Sequence, residues 1–168
     1  DKAIQNFLSK DQAALHDPFL MRDMDKAVER IAAAKEANEK ITIYGDYDVD
    51  GITAIAVLYK HLSGMGMSVD YYVPDRMQEG YGVNRDALDK IKANGSTLII
   101  TVDTGITAVE ECEYAKSIGL DLIITDHHEC KEKIPQAYAA IDPKRKDCGY
   151  PFKNLAGVGV VFKLITAI

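Results

Sequence analysis

Cationic side chains are in short supply in this 168-residue sequence: 20 Lys and Arg stand against 26 Asp and Glu, a net charge of −6. That balance argues against a protein that holds nucleic acid through a broad basic surface. It leaves open one that grips phosphate through metal ions, whose ligands are themselves acidic. Cysteine is scarce too. Cys112, Cys130 and Cys148 are odd in number and far apart, and they make neither a zinc spacing nor a disulfide framework. They read as buried or incidental thiols of a reducing cytoplasm. No run of eighteen apolar residues occurs, so no membrane span is expected, and no secretory leader is visible. The GxGxxG fingerprint is missing from the first strand–helix turn, which argues against a dinucleotide site. Internal repeats and low-complexity tracts are absent as well.

What is present fits one globular domain with a sizeable core. A short helical turn is expected over Ala3–Leu8, then a break at Asp17-Pro18. Asp23 reads as an N-cap, followed by the apolar stripe Met24, Ala27, Val28, Ile31 and Ala34 of a helix running to about Asn38. Strands are predicted at Ile41–Tyr44, Ser68–Val73, Thr97–Val102, Leu120–Thr125 and Tyr138–Ile141. Helices alternate with them: Ile52 to about Ser63, one capped by Asn84 and running to Ala93, Thr107–Ile118, and a last one from Gly157 to Ile168. This alternation predicts an α/β fold, a doubly wound parallel five-stranded sheet of order 2-1-3-4-5 with helices on both faces.

The most informative stretch is ITIYGDYDVDG, Ile41–Gly51. Asp46, Asp48 and Asp50 crowd a strand-to-helix turn, where unpaired carboxylates repel and raise one another's pKa. Such a turn is either a solvated acidic loop or a cation site, and its hard oxygen donors suit Mg2+ or Mn2+. The rest of the chain bears on that choice. Asp103 follows the third strand and His127 and His128 follow the fourth, so all lie at the carboxyl edge of the sheet, near its switch point. Convergence of residues so distant in sequence favours a metal site. Two metals can activate water and stabilise a leaving oxygen at a phosphoryl centre. Asp103 is central enough to bridge them, and the nitrogen of His127 favours manganese. His128, on an extended segment, is expected to point elsewhere and to hold a ligand or touch substrate phosphate.

Six motifs occur in order: LHDPFLMRDMDKAVERI (Leu15–Ile31), YGDYDVDG (Tyr44–Gly51), EGYGVN (Glu79–Asn84), VDTGI (Val102–Ile106), TDHHE (Thr125–Glu129) and GVGVVFKL (Gly157–Leu164). As a set they resemble the N-terminal catalytic part of the DHH phosphoesterase superfamily, and within it the single-stranded-DNA-specific 5′→3′ exonucleases. The resemblance implies a two-metal Mn2+ or Mg2+ centre held by Asp48, Asp50, Asp103 and His127. It gives Asp103, His128 and Asp46 catalytic roles, Asp46 as a supporting acid. It places Arg76, Tyr81 and Asn84 on a substrate-facing loop, where Arg76 either contacts phosphate or is a surface arginine. The implied partner is single-stranded DNA, with repair or replication proteins as further candidates, and the implied state is a cytoplasmic monomer.

Two alternatives accompany this reading. One is another DHH phosphodiesterase, acting on short oligonucleotides, cyclic dinucleotides or pyrophosphate; the EGYGVN and LHDPF segments disfavour it. The other is a non-catalytic replication scaffold, which the retained acids and His127 disfavour. Tyr44 departs from the superfamily, where many members carry a histidine four residues before the position of Asp48. The resemblance also implies a further metal-binding aspartate and a nucleic-acid-clamping domain beyond Ile168. Residues 1–168, opening on Asp1 rather than Met, then read as an incomplete N-terminal domain that folds, binds metal weakly and cleaves poorly. Asp142 is expected to be a strand-end residue and not the absent ligand, and Lys144, Arg145 and Lys146 a small solvated basic cluster.

This reading makes a geometric prediction. In a structure, the side chains of Asp48, Asp50, Asp103 and His127 should meet at one sheet edge, no two more than about 10 Å apart, because ligands lie about 2.0–2.6 Å from a metal.

Overall fold

Short strands that are mostly buried on both faces require cover on both sides, and a parallel sheet supplies the arrangement. The computed structural model describes Ile4, Gln5, residues 15–75, Gly80 and residues 82–168. Apart from Ile4 and Gln5, the helical turn read at Ala3–Leu8 lies outside the described residues. The strands are β1 (Lys40–Gly45), β2 (Ser68–Tyr72), β3 (Leu98–Val102), β4 (Asp121–Thr125) and β5 (Ala139–Ile141). They form one parallel sheet in the order β2-β1-β3-β4-β5. Tyr44 pairs in register with Tyr72 on one side and Thr101 on the other, and Val102 with Thr125. The switch point between β1 and β3 is where the sequence predicts it.

Alternation along the strands divides the core into two layers. Ile41, Ile43, Leu98, Ile100, Ile123 and Ile141 face helices α1 (Met24–Glu36), α2 (Val49–Gly64) and the C-terminal helix α5 (Gly157–Ala167). Tyr44, Ile99 and Leu122 face α3 (Arg85–Ala93) and α4 (Val109–Ser117). Nearly all of these strand side chains are fully buried, each contributing about 1.5–3 kcal/mol relative to exposure. No helix among the described residues is long and apolar enough to cross a membrane.

Helix starts differ from the sequence reading in ways that matter at the site. Gly45 remains in β1, and α2 begins at Val49, three residues before Ile52. The reason is a cap: Asp48 Oδ1 accepts from the backbone N–H groups of Asp50 and Gly51, each at 2.9 Å. Helix α4 begins at Val109, because the chain first turns through Thr104 and Gly105: Thr101 Oγ1 donates to Thr104 O, and Ala108 N–H to Gly105 O. Asn84 caps α3 by accepting from Ala87 N–H at 2.8 Å.

Two expectations are corrected. Asp23 stands at the N-cap of α1, but with a left-handed backbone (φ 63°) and no side-chain cap bond. Its carboxylate instead meets Lys26 at 3.0 Å and Arg145 at 2.8 Å. Arg145, expected in a solvated basic cluster, is buried. The turn after β5 folds its guanidinium inward, onto Asp23, Asp147 and the Ala140 carbonyl. Of its two neighbours, Lys144 pairs with Glu129 at 3.1 Å and Lys146 is exposed. At the opposite edge of the sheet, Arg30 plays a comparable part, joining α1 to Glu39 and Asp121.

Replacing Arg145 by alanine should therefore destabilise the fold by about 3 kcal/mol, because Asp23 and the Ala140 carbonyl lose their buried donor. Urea denaturation measures this; a loss under about 0.5 kcal/mol would return Arg145 to the solvated surface.

Candidate metal centre

The carboxyl edge of the sheet gathers acids from four strands. After β1, the turn 46–48 carries Asp46, almost fully buried, and Asp48, which caps α2. Asp46 Oδ1 accepts from Tyr47 N–H at 2.7 Å. Asp50 sits one turn further along, and both its oxygens point across the edge to α5: Oδ2 accepts from Gly157 N–H and Oδ1 from Val158 N–H, each at 2.8 Å. A carboxylate at a helix N-terminus gains from two otherwise unpaired donors and from the dipole.

Asp103, directly after β3, is 2% exposed and takes a left-handed conformation (φ 60°) that aspartate tolerates better than most residues. Its backbone N–H still extends the ladder to Thr125 O, so the side chain is fixed at the edge. Gly157 lies against it: a Cβ there would stand 2.5 Å from Asp103 Oδ1. Glycine at this point of the GVGVVFKL segment thus lets the N-terminus of α5 touch the acid. Burial pushes the Asp103 carboxyl up to about 7, and the charges of Asp50 and Asp48 add to that.

His127 Nε2 is 2.9 Å from Asp103 Oδ1 and 3.6 Å from Asp50 Oδ2. The approach to Asp103 is close without being a hydrogen bond, so Oδ1 is a buried oxygen without a donor. Both atoms can act as metal ligands, and they belong to one group of candidate ligands.

The segment after β4 is organised by Asp126. Its Oδ1 accepts from His127 N–H, His128 N–H and the His128 ring Nδ1, and its Oδ2 from Ile106 N–H. Burial alone would raise this carboxyl; the His128 hydrogen bond and the two backbone donors outweigh it and hold it low. The same bond raises His128, so its imidazolium persists to higher pH. Sequence reasoning expected an extended segment that turned His128 away from His127. The chain bends at His128 instead, and the two rings lie 4.6 Å apart.

Two groups result, each with candidate ligand atoms within 4.8 Å of one another: Asp103, His127 and His128, and Asp46, Asp48 and Asp103. Asp103 belongs to both. Hard oxygens with one or two imidazole nitrogens, around a buried oxygen that lacks a donor, fit a Mn2+ or Mg2+ pair. Asp50 lies outside both groups; each of its oxygens accepts from α5, and Oδ2 lies 3.6 Å from His127 Nε2. Arg76 and Tyr81 lie outside the described residues. Asn84 is engaged at both ends, by Ala87 N–H and by the Tyr44 hydroxyl.

Beside the metal groups, a cavity of about 300 Å³ is lined by Gly82, Val83, residues 104–108, Glu111, Asp126 and His128. Asp142, at the end of β5, belongs to neither metal group. It is fully buried; Oδ1 accepts from Lys144 N–H, while Oδ2 has no partner. Burial lifts it to about 7, Lys144 N–H opposes this, and the Asp126 charge adds to it. Sequence reasoning missed the contact of Asp50 with α5 and the anchoring part of Asp126. The glycines of GVGVVFKL and the aspartate of TDHHE were the available signals.

Comparison with known proteins agrees with this arrangement. The model of the DHH family, N-terminal domain, matches residues 40–168. The single-stranded-DNA-specific exonuclease RecJ of Bacillus subtilis (strain 168) is 52% identical over 162 residues, 96% of this chain and 21% of that protein. RecJ of Escherichia coli (strain K12) is 41% identical over 146 residues, covering 86% and 25% respectively. A crystal structure of exonuclease RecJ bound to manganese superposes with a TM-score of 0.78 at 31% identity, over 88% of this chain and 37% of that one. The chain thus spans about a fifth to a quarter of the length of these curated relatives.

The two raised carboxyls make stability depend on pH in the metal-free chain. Asp142 holds its proton to about pH 7 when folded but releases it near the ordinary value of 3.8 when unfolded. Its contribution therefore disfavours folding as pH rises from about 4 to 7. Asp142→Asn, which carries no ionisable proton, should be more stable than the parent at pH 8 by on the order of 2–3 kcal/mol, and nearly equal at pH 4. Denaturation midpoints at the two pH values test this; equal differences would remove Asp142 as the cause.

Proposed function

The chain belongs to the DHH family, and from that premise we propose that it is the N-terminal catalytic domain of a metal-dependent phosphodiesterase that degrades single-stranded DNA from its 5′ end. The observation that carries this reading is Asp103: one buried carboxylate shared by two groups of candidate ligands at the switch point of the sheet. Asp46, Asp48 and Asp103 would hold one cation, and Asp103 with His127 the other, with Asp50 supporting His127. Manganese or magnesium, when bound, supplies Lewis-acid polarisation of a phosphoryl oxygen and acidifies a water.

The chain's own residues do the rest. Asp126 holds the His128 ring through Nδ1 and favours its cationic form, which suits a contact to an anionic phosphate oxygen. Asp46 braces the turn that presents Asp48. The cavity beside His128 offers room for part of a nucleotide, lined by main-chain-rich loops that suit a substrate of any sequence. Arg76, Tyr81 and Asn84 are proposed as substrate-contacting residues. Sequence identity to two exonucleases of the same specificity supports single-stranded DNA over cyclic dinucleotides or short oligonucleotides. The retained ligand set supports an enzyme over a scaffold.

The longer protein is proposed to supply a further carboxylate ligand and a domain that clamps the strand, to act as a cytoplasmic monomer, and to meet repair or replication proteins there. On its own the 168-residue chain should bind metal weakly and cleave poorly, since ligand number sets affinity and its net charge of −6 repels DNA.

The test uses the longer protein carrying this domain, loaded with Mn2+, on a 5′-phosphorylated single strand. Mononucleotide release from the 5′ end is expected. Asp46→Ala should lower the rate by about 10–100-fold and Asp103→Ala by more, because a shared ligand serves both cations. Hydrolysis of a cyclic dinucleotide with no release from the strand would overturn the assignment.

A further inference from the structure

Tyr44 is the penultimate residue of β1, two positions before Asp46, yet its side chain turns away from the acids. It is fully buried on the α3–α4 face, its ring stacked on Tyr72 with centroids 5.5 Å apart. Phenylalanine would meet both demands equally well. What the hydroxyl adds is polar: it donates to Gly82 O at 2.8 Å and accepts from Asn84 Nδ2 at 3.2 Å. Asn84 in turn caps α3 through Oδ1. One phenol oxygen therefore joins the strand that leads into the acidic turn, the loop before α3, and the start of α3 itself.

That loop needs a tether. Gly80 and Gly82 both adopt positive φ (75° and 90°), a backbone that glycine enters easily and leaves easily. Gly82 and Val83 nevertheless line the same cavity as His128 and Asp126. The Tyr44 hydroxyl holds that part of the lining through Gly82 O.

We propose that Tyr44 is a positioning residue: its hydroxyl latches the Gly82–Asn84 segment beside the His128 cavity, and so sets how tightly a nucleotide is held. It does this without touching the cations or the reacting phosphate. The consequence for nucleotide binding rests on the phosphodiesterase reading above; the latch itself rests only on the contacts of Tyr44.

Tyr44→Phe separates the hydroxyl from the ring. Hydrogen exchange followed by mass spectrometry on peptides spanning 80–84 should speed up about tenfold in this variant, the effect of losing one buried hydrogen bond. Mn2+ affinity by calorimetry should stay within twofold of the parent. Affinity of the Mn2+-loaded chain for thymidine 5′-monophosphate should fall about tenfold. Asn84→Ser, which keeps a capping oxygen but removes the amide donor, should give a smaller change in the same direction. In the longer protein, Tyr44→Phe should raise KM about tenfold and change kcat less than twofold.

Unchanged exchange at 80–84 in Tyr44→Phe overturns the latch. Faster exchange with unchanged nucleotide affinity and unchanged KM overturns its role in binding. A fall in Mn2+ affinity matching the fall in nucleotide affinity also overturns it, since Tyr44 would then act through the metal centre. If the longer protein takes up Mn2+ but neither binds thymidine 5′-monophosphate nor releases nucleotides from a single strand, the phosphodiesterase reading fails and the binding claim fails with it. Exchange at 80–84 still decides the latch.

Discussion

Negative charge collected where water is scarce is the constraint around which this fold is arranged. Six aspartates, Asp46, Asp48, Asp50, Asp103, Asp126 and Asp142, stand at the carboxyl ends of β1, β3, β4 and β5. Five of them accept backbone N–H groups: Asp46 from Tyr47, Asp48 from Asp50 and Gly51, Asp50 from Gly157 and Val158, Asp126 from Ile106 and both histidines, Asp142 from Lys144. Main-chain dipoles are fixed donors that cost no counter-charge. Asp103 is the exception. Its Oδ1 is buried without a donor, and it lies where the two ligand groups overlap. The backbone stabilises the surrounding acids and leaves the central one for a cation.

Helix placement follows from the same constraint. The N-termini of α2 and α5 both point at this edge, one capped by Asp48 and the other held by Asp50. Neighbouring acids that would otherwise repel are thus distributed between two helix ends. A parallel sheet makes this possible, because its connections return each helix N-terminus to the edge where the strands end. The opposite edge needs no such device, and Arg30 with Glu39 and Asp121 serves there as an ordinary buried ion network.

Much of this was legible in the residues. Strand order, switch point and the convergence of Asp48, Asp103 and His127 follow from apolar runs separated by helical periods, which are local signals. What escaped was non-local or conformational. The start of α2 at Val49 depends on a side-chain cap that overrides apolar periodicity. The orientation of His128 depends on a bend imposed by Asp126, whereas period-2 reasoning assumes an extended chain. Arg145 looked solvated beside Lys144 and Lys146, and only the docking of its turn on Asp23 buries it. The contact of Asp50 with α5 was out of reach as well, since its donors are 107 and 108 residues away. No window along the chain contains both ends of that contact.

That separation carries a consequence for synthesis. The acidic turn at 46–50 leaves a ribosome well before Gly157 is made. At about 5–20 residues per second, the 107-residue interval between Asp50 and its helix lasts roughly 5–20 s. During that time Asp50 lacks the donors it will use, and nothing yet lies against Asp103. The entropic cost of closing so long a loop falls on the final docking step. A nascent chain therefore exposes an unfinished acidic surface, and α5 completes the centre only when nearly the whole domain has emerged. Competence to hold a cation is thereby coupled to completion of the domain, so partial translation products display the acids without the geometry.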